Sequence, residues 1–187
     1  MRKMMSAVML AAVLVMSSAA VRAEELPVKS GEKIAFLGDS ITQQGAAPGG
    51  YVSLVMSGLE ANGVKATAIP AGIGGNMSSH MLTRLEKDVL SKKPDWMTLS
   101  CGVNDVWLAK VVPLEQYKVN ITKIVEQVQA ANIKLMILTA TMKGEDQANA
   151  NNQRMVGYND FLRTLAREKK CLPVSYTHLT LPTIYSV

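Results

Sequence analysis

A short apolar run, Lys33–Leu37, is followed at once by Gly38-Asp39-Ser40. An apolar run of this length without polar alternation is typical of a parallel strand that is buried on both faces. Its abrupt end places a serine hydroxyl at the carboxyl end of that strand. In open α/β sheets, ligands bind at this edge. The feature therefore predicts a parallel α/β sheet with Ser40 at the edge that binds ligands.

The rest of the chain alternates short apolar runs with helical patterns. The further predicted strands are Val64–Ile69, Trp96–Ser100, Lys134–Thr139 and Cys171–Val174. The predicted helices are Tyr51–Ala61, Met81–Leu90, Pro113–Ala131 and Asn152–Lys169. Gln43–Gly50 and Pro70–Ser79 are predicted loops, because both are rich in glycine and contain proline. This alternation favours right-handed βαβ crossovers and a parallel sheet with helices on both faces.

The length of 187 residues suits one domain with one sizeable core. The formal net charge is +5, but the first 23 residues contain three basic residues and no acid, so the remainder has 17 basic and 15 acidic residues. The sequence has no basic stripe with interleaved aromatic residues. Nucleic-acid binding is therefore not expected.

The amino terminus has the pattern of a secretory signal. Two basic residues precede an apolar stretch, Ala7–Val15, and Val21-Arg22-Ala23 resembles a cleavage site. The alternative is an uncleaved membrane anchor, although Met4–Val21 is barely long enough to span a bilayer and contains three serines. We expect residues 1–23 to be a signal peptide and the mature protein to be secreted or periplasmic, without stable membrane insertion after cleavage.

The two cysteines, Cys101 and Cys171, lie at opposite ends of their predicted strands. Parallel strands would place them at opposite edges of the sheet, beyond the roughly 7 Å Cα separation that a disulfide allows. We therefore expect both thiols to be free and buried.

Polar residues follow three predicted strands in succession. Ser40 follows the first, Gly74-Gly75-Asn76 the second and Gly102–Asp105 the third. A nucleophilic serine needs donors aimed at the developing oxyanion, which a backbone N–H of the glycine loop and the Asn104 side chain could supply. Each element also has an ordinary alternative, namely a helix cap for the serine and tight turns for the other two. Their order along the chain favours an acyl-transfer site at one sheet edge.

Other kinds of site are not indicated. The loop Gly72–Met77 lacks the last glycine of a dinucleotide fingerprint, because position 77 is methionine. Gly38–Thr42 lacks the second glycine of the α/β-hydrolase nucleophile elbow. The sequence contains no Walker loop and no His/Cys cluster for zinc. We therefore expect no metal, no cofactor and no nucleotide.

The three blocks resemble those of the SGNH hydrolase superfamily, also called the GDSL esterase and lipase family. The first block is similar to Gly38-Asp39-Ser40-Ile41-Thr42, the second to Gly74-Gly75-Asn76-Met77-Ser78 and the third to Gly102-Val103-Asn104-Asp105. The resemblance extends over about residues 32–173.

This resemblance implies a three-layer α/β/α fold with a flavodoxin-like parallel sheet. It also implies that Ser40 is the catalytic nucleophile, with the backbone N–H groups of Ser40 and Gly75 and the side chain of Asn104 as oxyanion donors. The residues of the three blocks and the export signal resemble those of bacterial members that act on acylated carbohydrates.

One block of the family has no counterpart here. The last block, Asp-x-x-His, supplies the base and the acid that orients it. This chain has two histidines, His80 and His178, and Ser175 rather than an acid precedes His178 by three residues. Residues 174–187 contain no Asp, Glu, Lys or Arg and show no helical period, so we interpret them as a non-native tail. The domain, residues 24–173, would then be truncated, with an incomplete fifth strand and last helix.

Three functional hypotheses follow. The first is a secreted serine ester hydrolase that forms an acyl-enzyme on a small-molecule or carbohydrate ester, with little turnover in this chain because neither histidine is expected to act as the base. The second is a non-catalytic protein of the same fold that binds a carbohydrate or another ligand. The third is a flavodoxin-like binder of phosphate or a cofactor.

Overall fold

The computed structural model describes residues 26–108, 111–144 and 146–174. The predicted signal peptide lies outside the described residues. So does the predicted tail, except Val174, and with it His178.

Five strands form one parallel sheet, as predicted. They are β1 (Lys33–Gly38), β2 (Thr67–Gly72), β3 (Trp96–Ser100), β4 (Lys134–Leu138) and β5 (Leu172–Val174). Their order is β2-β1-β3-β4-β5, and every neighbouring pair is parallel. This is the flavodoxin-like order, in which strand addition reverses direction between β1 and β3. The reversal opens a crevice at the carboxyl ends of these two strands, which Ser40 and Asn104 follow.

Within the described ranges, six α-helices connect the strands. They are α1 (Ser40–Gly45), α2 (Tyr51–Ala61), α3 (Ser78–Asp88), α4 (Val103–Trp107), α5 (Leu114–Ala130) and α6 (Ala150–Glu168). A 3-10 turn, Leu90–Lys92, lies between α3 and β3. No helix in this part of the chain has the length and apolar character needed to cross a bilayer.

Alternate residues of β1 face two core clusters on opposite sides of the sheet. Ala35 and Leu37 belong to a large cluster with residues of α3, α5 and α6. Ile34 and Phe36 belong to a smaller cluster with Val52 of α2. Because the sheet lies between these helical layers, the predicted three-layer α/β/α fold is confirmed.

The second strand was predicted three residues too early. β2 spans Thr67–Gly72, whereas the pattern indicated Val64–Ile69 and assigned Pro70 to a loop. Proline has no N–H to donate and is tolerated in strands mainly at edges. Among the described residues, β2 is an edge strand that pairs only with β1, where Pro70 lies opposite Phe36. The sequence pattern could not show that this proline lies in an edge strand.

Two short helices were not predicted. α1 extends into the segment Gln43–Gly50, which was predicted as a loop, and α4 begins at Val103, shortly after the third strand ends at Ser100. They contain 6 and 5 residues, which is too short to display an apolar period. Both lie next to the predicted site residues, so they determine how those side chains are presented.

Cys101 and Cys171 are free and buried, as predicted. Burial raises the pKa of the Cys101 thiol well above its usual value and also raises the pKa of Cys171. Both thiols are therefore protonated at neutral pH and are poor nucleophiles.

Candidate active site

Ser40 is the first residue of α1 and lies just beyond the carboxyl end of β1. The cap of this helix is Asp39, whose side chain accepts a hydrogen bond from the Ile41 N–H at 2.9 Å. The serine is therefore not needed as the helix cap. Its side chain is half-buried and makes no hydrogen bond to another described residue. Its own N–H is at the helix start, where no intrahelical acceptor exists.

Two glycines let α1 lie close against the ends of β1 and β2. A Cβ atom on Gly38 would stand 1.9 Å from Thr42 Oγ1, and one on Gly72 would stand 2.3 Å from the backbone nitrogen of Gln43. At Gly72 the obstacle is backbone, which cannot rotate away as a side chain can. The lack of side chains here therefore sets how closely Ser40 approaches the second strand.

The glycine loop after β2 is a tight turn, Ile73–Asn76. Its closing hydrogen bond runs from the Asn76 N–H to the Ile73 carbonyl at 3.3 Å. Gly75 has a φ of 72°, which glycine adopts without steric cost. The Gly75 N–H donates to no other atom of the described chain, so it is free to bind a ligand oxygen.

This turn lies directly beside the serine. The Gly74 N–H donates to Gln43 Oε1 of α1 at 2.8 Å. A Cβ atom on Gly74 would be 3.9 Å from Ser40 Cβ. The first and second blocks are therefore in contact, as the sequence predicted.

Asn104 reaches the same turn from the third strand. It lies in α4, and its Nδ2 donates to the Asn76 carbonyl oxygen at 3.0 Å. A side-chain amide nitrogen carries two hydrogens, so one N–H remains for a further acceptor. The three predicted blocks thus meet at one place, with a hydroxyl and several N–H donors around it.

Such a group of donors can hold an ester carbonyl against a hydroxyl and stabilise the charge that develops on its oxygen. The geometry is compatible with acyl transfer. The individual catalytic roles of Ser40, Gly75 and Asn104 stay predictions.

A buried hydrogen-bond network around Asp105 and Ser78 supports the site. The Asp105 carboxylate accepts from the Ser78 N–H at 3.0 Å and from the Ser78 hydroxyl at 2.5 Å. Asn120 of α5 donates to the same hydroxyl at 3.0 Å, and Cys101 Sγ donates to the carboxylate at 3.5 Å. Burial raises the pKa of Asp105, although the hydrogen bonds from Ser78 oppose the shift. Burial also raises the pKa of Asp39.

Four residues that hold the site in place were given no such role from the sequence. They are Gln43, Ser78, Arg84 and Asn120. Each has at least one partner 27 to 46 positions away in the chain, and no local pattern could reveal such a contact. The one available signal was a charged residue, Arg84, next to the buried Leu85 on a predicted helix.

His80 is in the first turn of α3 and is exposed. Its Nδ1 accepts a hydrogen bond from the Met77 N–H at 3.2 Å. It makes no hydrogen bond to Ser40 within the described chain. His178 lies outside the described residues.

A separate groove of about 320 Å³ lies between α6 and the strands β4 and β5. Its lining includes Thr139, Leu162, Arg163 and Val174. None of the predicted site residues lines it, so it is distinct from the candidate active site.

The sequence matches the GDSL-like lipase/acylhydrolase family over residues 36–184. The match contains the three blocks and continues beyond residue 173 through the segment that contains His178. An acetylxylan esterase from Geobacillus stearothermophilus is 27% identical over 170 residues, which cover 79% of this chain and 77% of that protein.

Solved structures with the same fold include several esterases. The acetyl xylan esterase AlAXEase has 33% sequence identity and a TM-score of 0.71, with 76% of each chain covered. A catalytic mutant of Axe2, an acetylxylan esterase from Geobacillus stearothermophilus, has 27% identity and a TM-score of 0.75, with 83% of this chain and 84% of that chain covered. LAE5, an alpha/beta hydrolase enzyme from the metagenome of Lake Arreo, has 27% identity and a TM-score of 0.71, with 78% of this chain and 77% of that chain covered.

The family match extends over most of the chain, and its fold agrees with that of the solved esterases. The chain therefore belongs to the GDSL-like lipase/acylhydrolase family and is a carboxylic ester hydrolase of the SGNH type.

Proposed function

We propose that this chain is a serine esterase that removes acetyl groups from carbohydrates through an acyl-enzyme on Ser40. The observation that carries the proposal is the meeting of Ser40, the turn Ile73–Asn76 and Asn104 at the carboxyl edge of the sheet. The relatives support an acetylated carbohydrate as the substrate. AlAXEase, Axe2 and the similar protein from Geobacillus stearothermophilus are all named acetylxylan esterases.

The proposed reaction has two steps. Ser40 Oγ bonds to the carbonyl carbon of the acetyl ester, and the carbonyl oxygen takes on negative charge. The N–H groups of Ser40 and Gly75 and the free N–H of Asn104 stabilise this oxyanion. Its collapse breaks the bond to the sugar oxygen, which takes up a proton, and leaves an acetyl group on the serine. Water then adds to this ester in the same way, releasing acetate and restoring the hydroxyl.

Each step also needs a group that accepts and returns a proton. The chain has no Asp-x-x-His, and removal of triad members in a serine protease costs on the order of 10⁶ in turnover. With the base absent, solvent water must take the proton from Ser40, so the acyl-enzyme forms slowly but still with help from the oxyanion donors. We therefore propose that this chain turns over slowly and that the remaining activity depends on the oxyanion donors.

The test is acetate release from p-nitrophenyl acetate and from acetylated xylooligosaccharides by the expressed chain. Ser40→Ala should reduce the rate to that of buffer, whereas Ser57→Ala on the exposed face of α2 should leave it unchanged. Hydrolysis that persists in Ser40→Ala would refute the acyl-enzyme. A fast wild-type rate that depends on Ser40 would show that the chain does contain a catalytic base.

A second candidate is a protein of the same family that binds acylated carbohydrate without hydrolysing it. The absence of Asp-x-x-His favours it. Calorimetric titration with acetylated xylooligosaccharides distinguishes the two, because the binder gives a stable complex and releases no acetate.

We also propose that the protein is exported, on the basis of the pattern in residues 1–23. Amino-terminal sequencing of the protein from the periplasm or medium of an expressing bacterium should begin at Glu24. A chain that stays in the cytoplasm with its first residues intact would contradict export.

A further inference from the structure

We propose that Arg84 is the positioning residue of the candidate active site and acts through Asn76 on Asn104. The inference rests on the proposed esterase function, because it assigns Arg84 a role in aiming one of the oxyanion donors. Arg84 lies on α3, behind the site, and its side chain is only 12% exposed.

The guanidinium joins the ends of two strands. Its Nη2 donates to the Gly38 carbonyl oxygen at 2.9 Å and to the Ala71 carbonyl oxygen at 2.8 Å. Gly38 is two residues before Ser40, and Ala71 is two residues before the turn Ile73–Asn76. One planar group therefore fixes the separation of the two chain segments that enter the site.

The same guanidinium also holds the turn itself. Its Nε donates to Asn76 Oδ1 at 2.7 Å. The backbone carbonyl of Asn76 is in turn the acceptor for Asn104 Nδ2 at 3.0 Å. Arg84 thus holds the side chain of Asn76, and the main-chain carbonyl of Asn76 orients the Asn104 side chain.

The geometry requires arginine. Four of the five guanidinium N–H groups are used, since Nη1 also donates to Asp88 Oδ2 at 2.9 Å. The acceptors belong to three different segments, and a planar fork can reach them together. A lysine would keep the charge, but its single ammonium group cannot reproduce the arrangement.

The central test compares Arg84→Lys with Arg163→Lys, an arginine on α6 that also pairs with an aspartate. We expect Arg84→Lys to lower the turnover number for p-nitrophenyl acetate by about 10- to 100-fold, because small misplacements of catalytic groups have effects of this size. The KM should change by less than about twofold, since substrate contacts are retained. Arg163→Lys should change neither parameter.

Two measurements separate positioning from a general loss of structure. In an Asn104→Ala background, the effect of Arg84→Lys on turnover should largely disappear, because the residue through which it acts is gone. The side-chain amide signal of Asn104 in the ¹H–¹⁵N NMR spectrum should also move in Arg84→Lys and stay in place in Arg163→Lys. If Arg84→Lys does not fold, Asn76→Ala removes only the Nε contact and should give the same pattern.

The inference is overturned if Arg84→Lys lowers the melting temperature but leaves turnover per folded molecule equal to that of Arg163→Lys. It is also overturned if its effect is equally large in Asn104→Ala. Failure of the esterase function looks different, because Ser40→Ala would then leave acetate release unchanged. Even in that case, an unmoved Asn104 signal would show that Arg84 does not position this side chain.

Discussion

The division of roles between Asp39 and Ser40 is the central feature of the site at the scale of single residues. A serine after a strand is often a helix cap, and the sequence alone could not exclude that role. In the structure the aspartate caps α1, and the serine hydroxyl has no partner among the described residues. Because this hydroxyl makes no structural hydrogen bond, it is available to react with a substrate.

Gly75 provides a test of the glycine turn, with Gly63 as a matched control. Their φ values are 72° and 79°, and a Cβ atom on either would meet nothing within 4 Å. Substitution by alanine should therefore destabilise both variants by about 1–2 kcal/mol, the cost of the left-handed conformation. Gly75→Ala alone should slow ester hydrolysis, because relief of this strain would shift the turn and misplace the N–H that is expected to bind the oxyanion.

Urea unfolding and acetate release, measured on both variants, check this prediction. Equal rates for Gly75→Ala and Gly63→Ala would show that the turn conformation does not matter for hydrolysis.

Asp105 should make the stability of the protein depend on pH in a defined direction. Burial raises the pKa of its carboxyl above the ordinary 3.8, so the folded chain holds the proton more tightly than the unfolded chain. The resulting stabilisation is complete below the unfolded pKa and is lost as the pH rises through the folded pKa. Asparagine does not titrate. The free energy of unfolding of Asp105→Asn relative to the wild type should therefore increase over this pH range.

Urea unfolding of the two proteins at a series of pH values measures how the difference in their unfolding free energies changes with pH. A difference that is constant with pH would reflect altered hydrogen bonds to Ser78. A difference that falls with rising pH would contradict the raised pKa.

At the scale of secondary-structure elements, prediction succeeded where an element shows its own period. α2 and β3 were placed at their observed bounds, Tyr51–Ala61 and Trp96–Ser100. Prediction failed where tertiary context decides. β2 contains Pro70 because it is an edge strand, and α4 is too short to display a pattern. These differences occur beside the candidate site, since its loops are determined by contacts and not by periodicity.

The cap of α1 can be tested against a second cap of the same kind. Asp39 accepts from the Ile41 N–H, and Asn149, the cap of α6, accepts from the Asn151 N–H, each at 2.9 Å. Replacing either cap by alanine should cost about 1 kcal/mol. Only Asp39→Ala should also reduce hydrolysis, because α1 carries Ser40.

Thermal unfolding and the turnover number report the two effects separately. If Asn149→Ala reduced turnover as much as Asp39→Ala, the loss would follow from stability and not from the position of the serine.

At the scale of the whole molecule, the strand order explains why the site forms. The sheet reverses its direction of growth between β1 and β3, and the candidate residues lie at the crevice that results. The sequence predicted this edge from polar residues after successive strands. It did not predict the supporting contacts, because Arg84 and Gly38 are 46 positions apart and Asn120 and Ser78 are 42 apart.

Substitution of the two histidines tests whether either of them acts as the catalytic base. We expect His80→Ala and His178→Ala to leave the slow hydrolysis of p-nitrophenyl acetate unchanged, because no acid precedes either by three residues. Initial rates over a range of pH are the measurement. A large loss in His178→Ala would show that this histidine serves as the base and that the segment after residue 173 is part of the site.

The most direct test of the central claim is mass spectrometry of the expressed chain after long incubation with a fluorophosphonate probe. We predict one covalent adduct, on Ser40, which forms about 10²–10³ times more slowly in Asn104→Ala because an oxyanion donor is lost. An adduct on another residue, or labelling of Ser40 at the same rate with and without the Asn104 amide, would contradict the assignment of Ser40 as nucleophile and Asn104 as oxyanion donor.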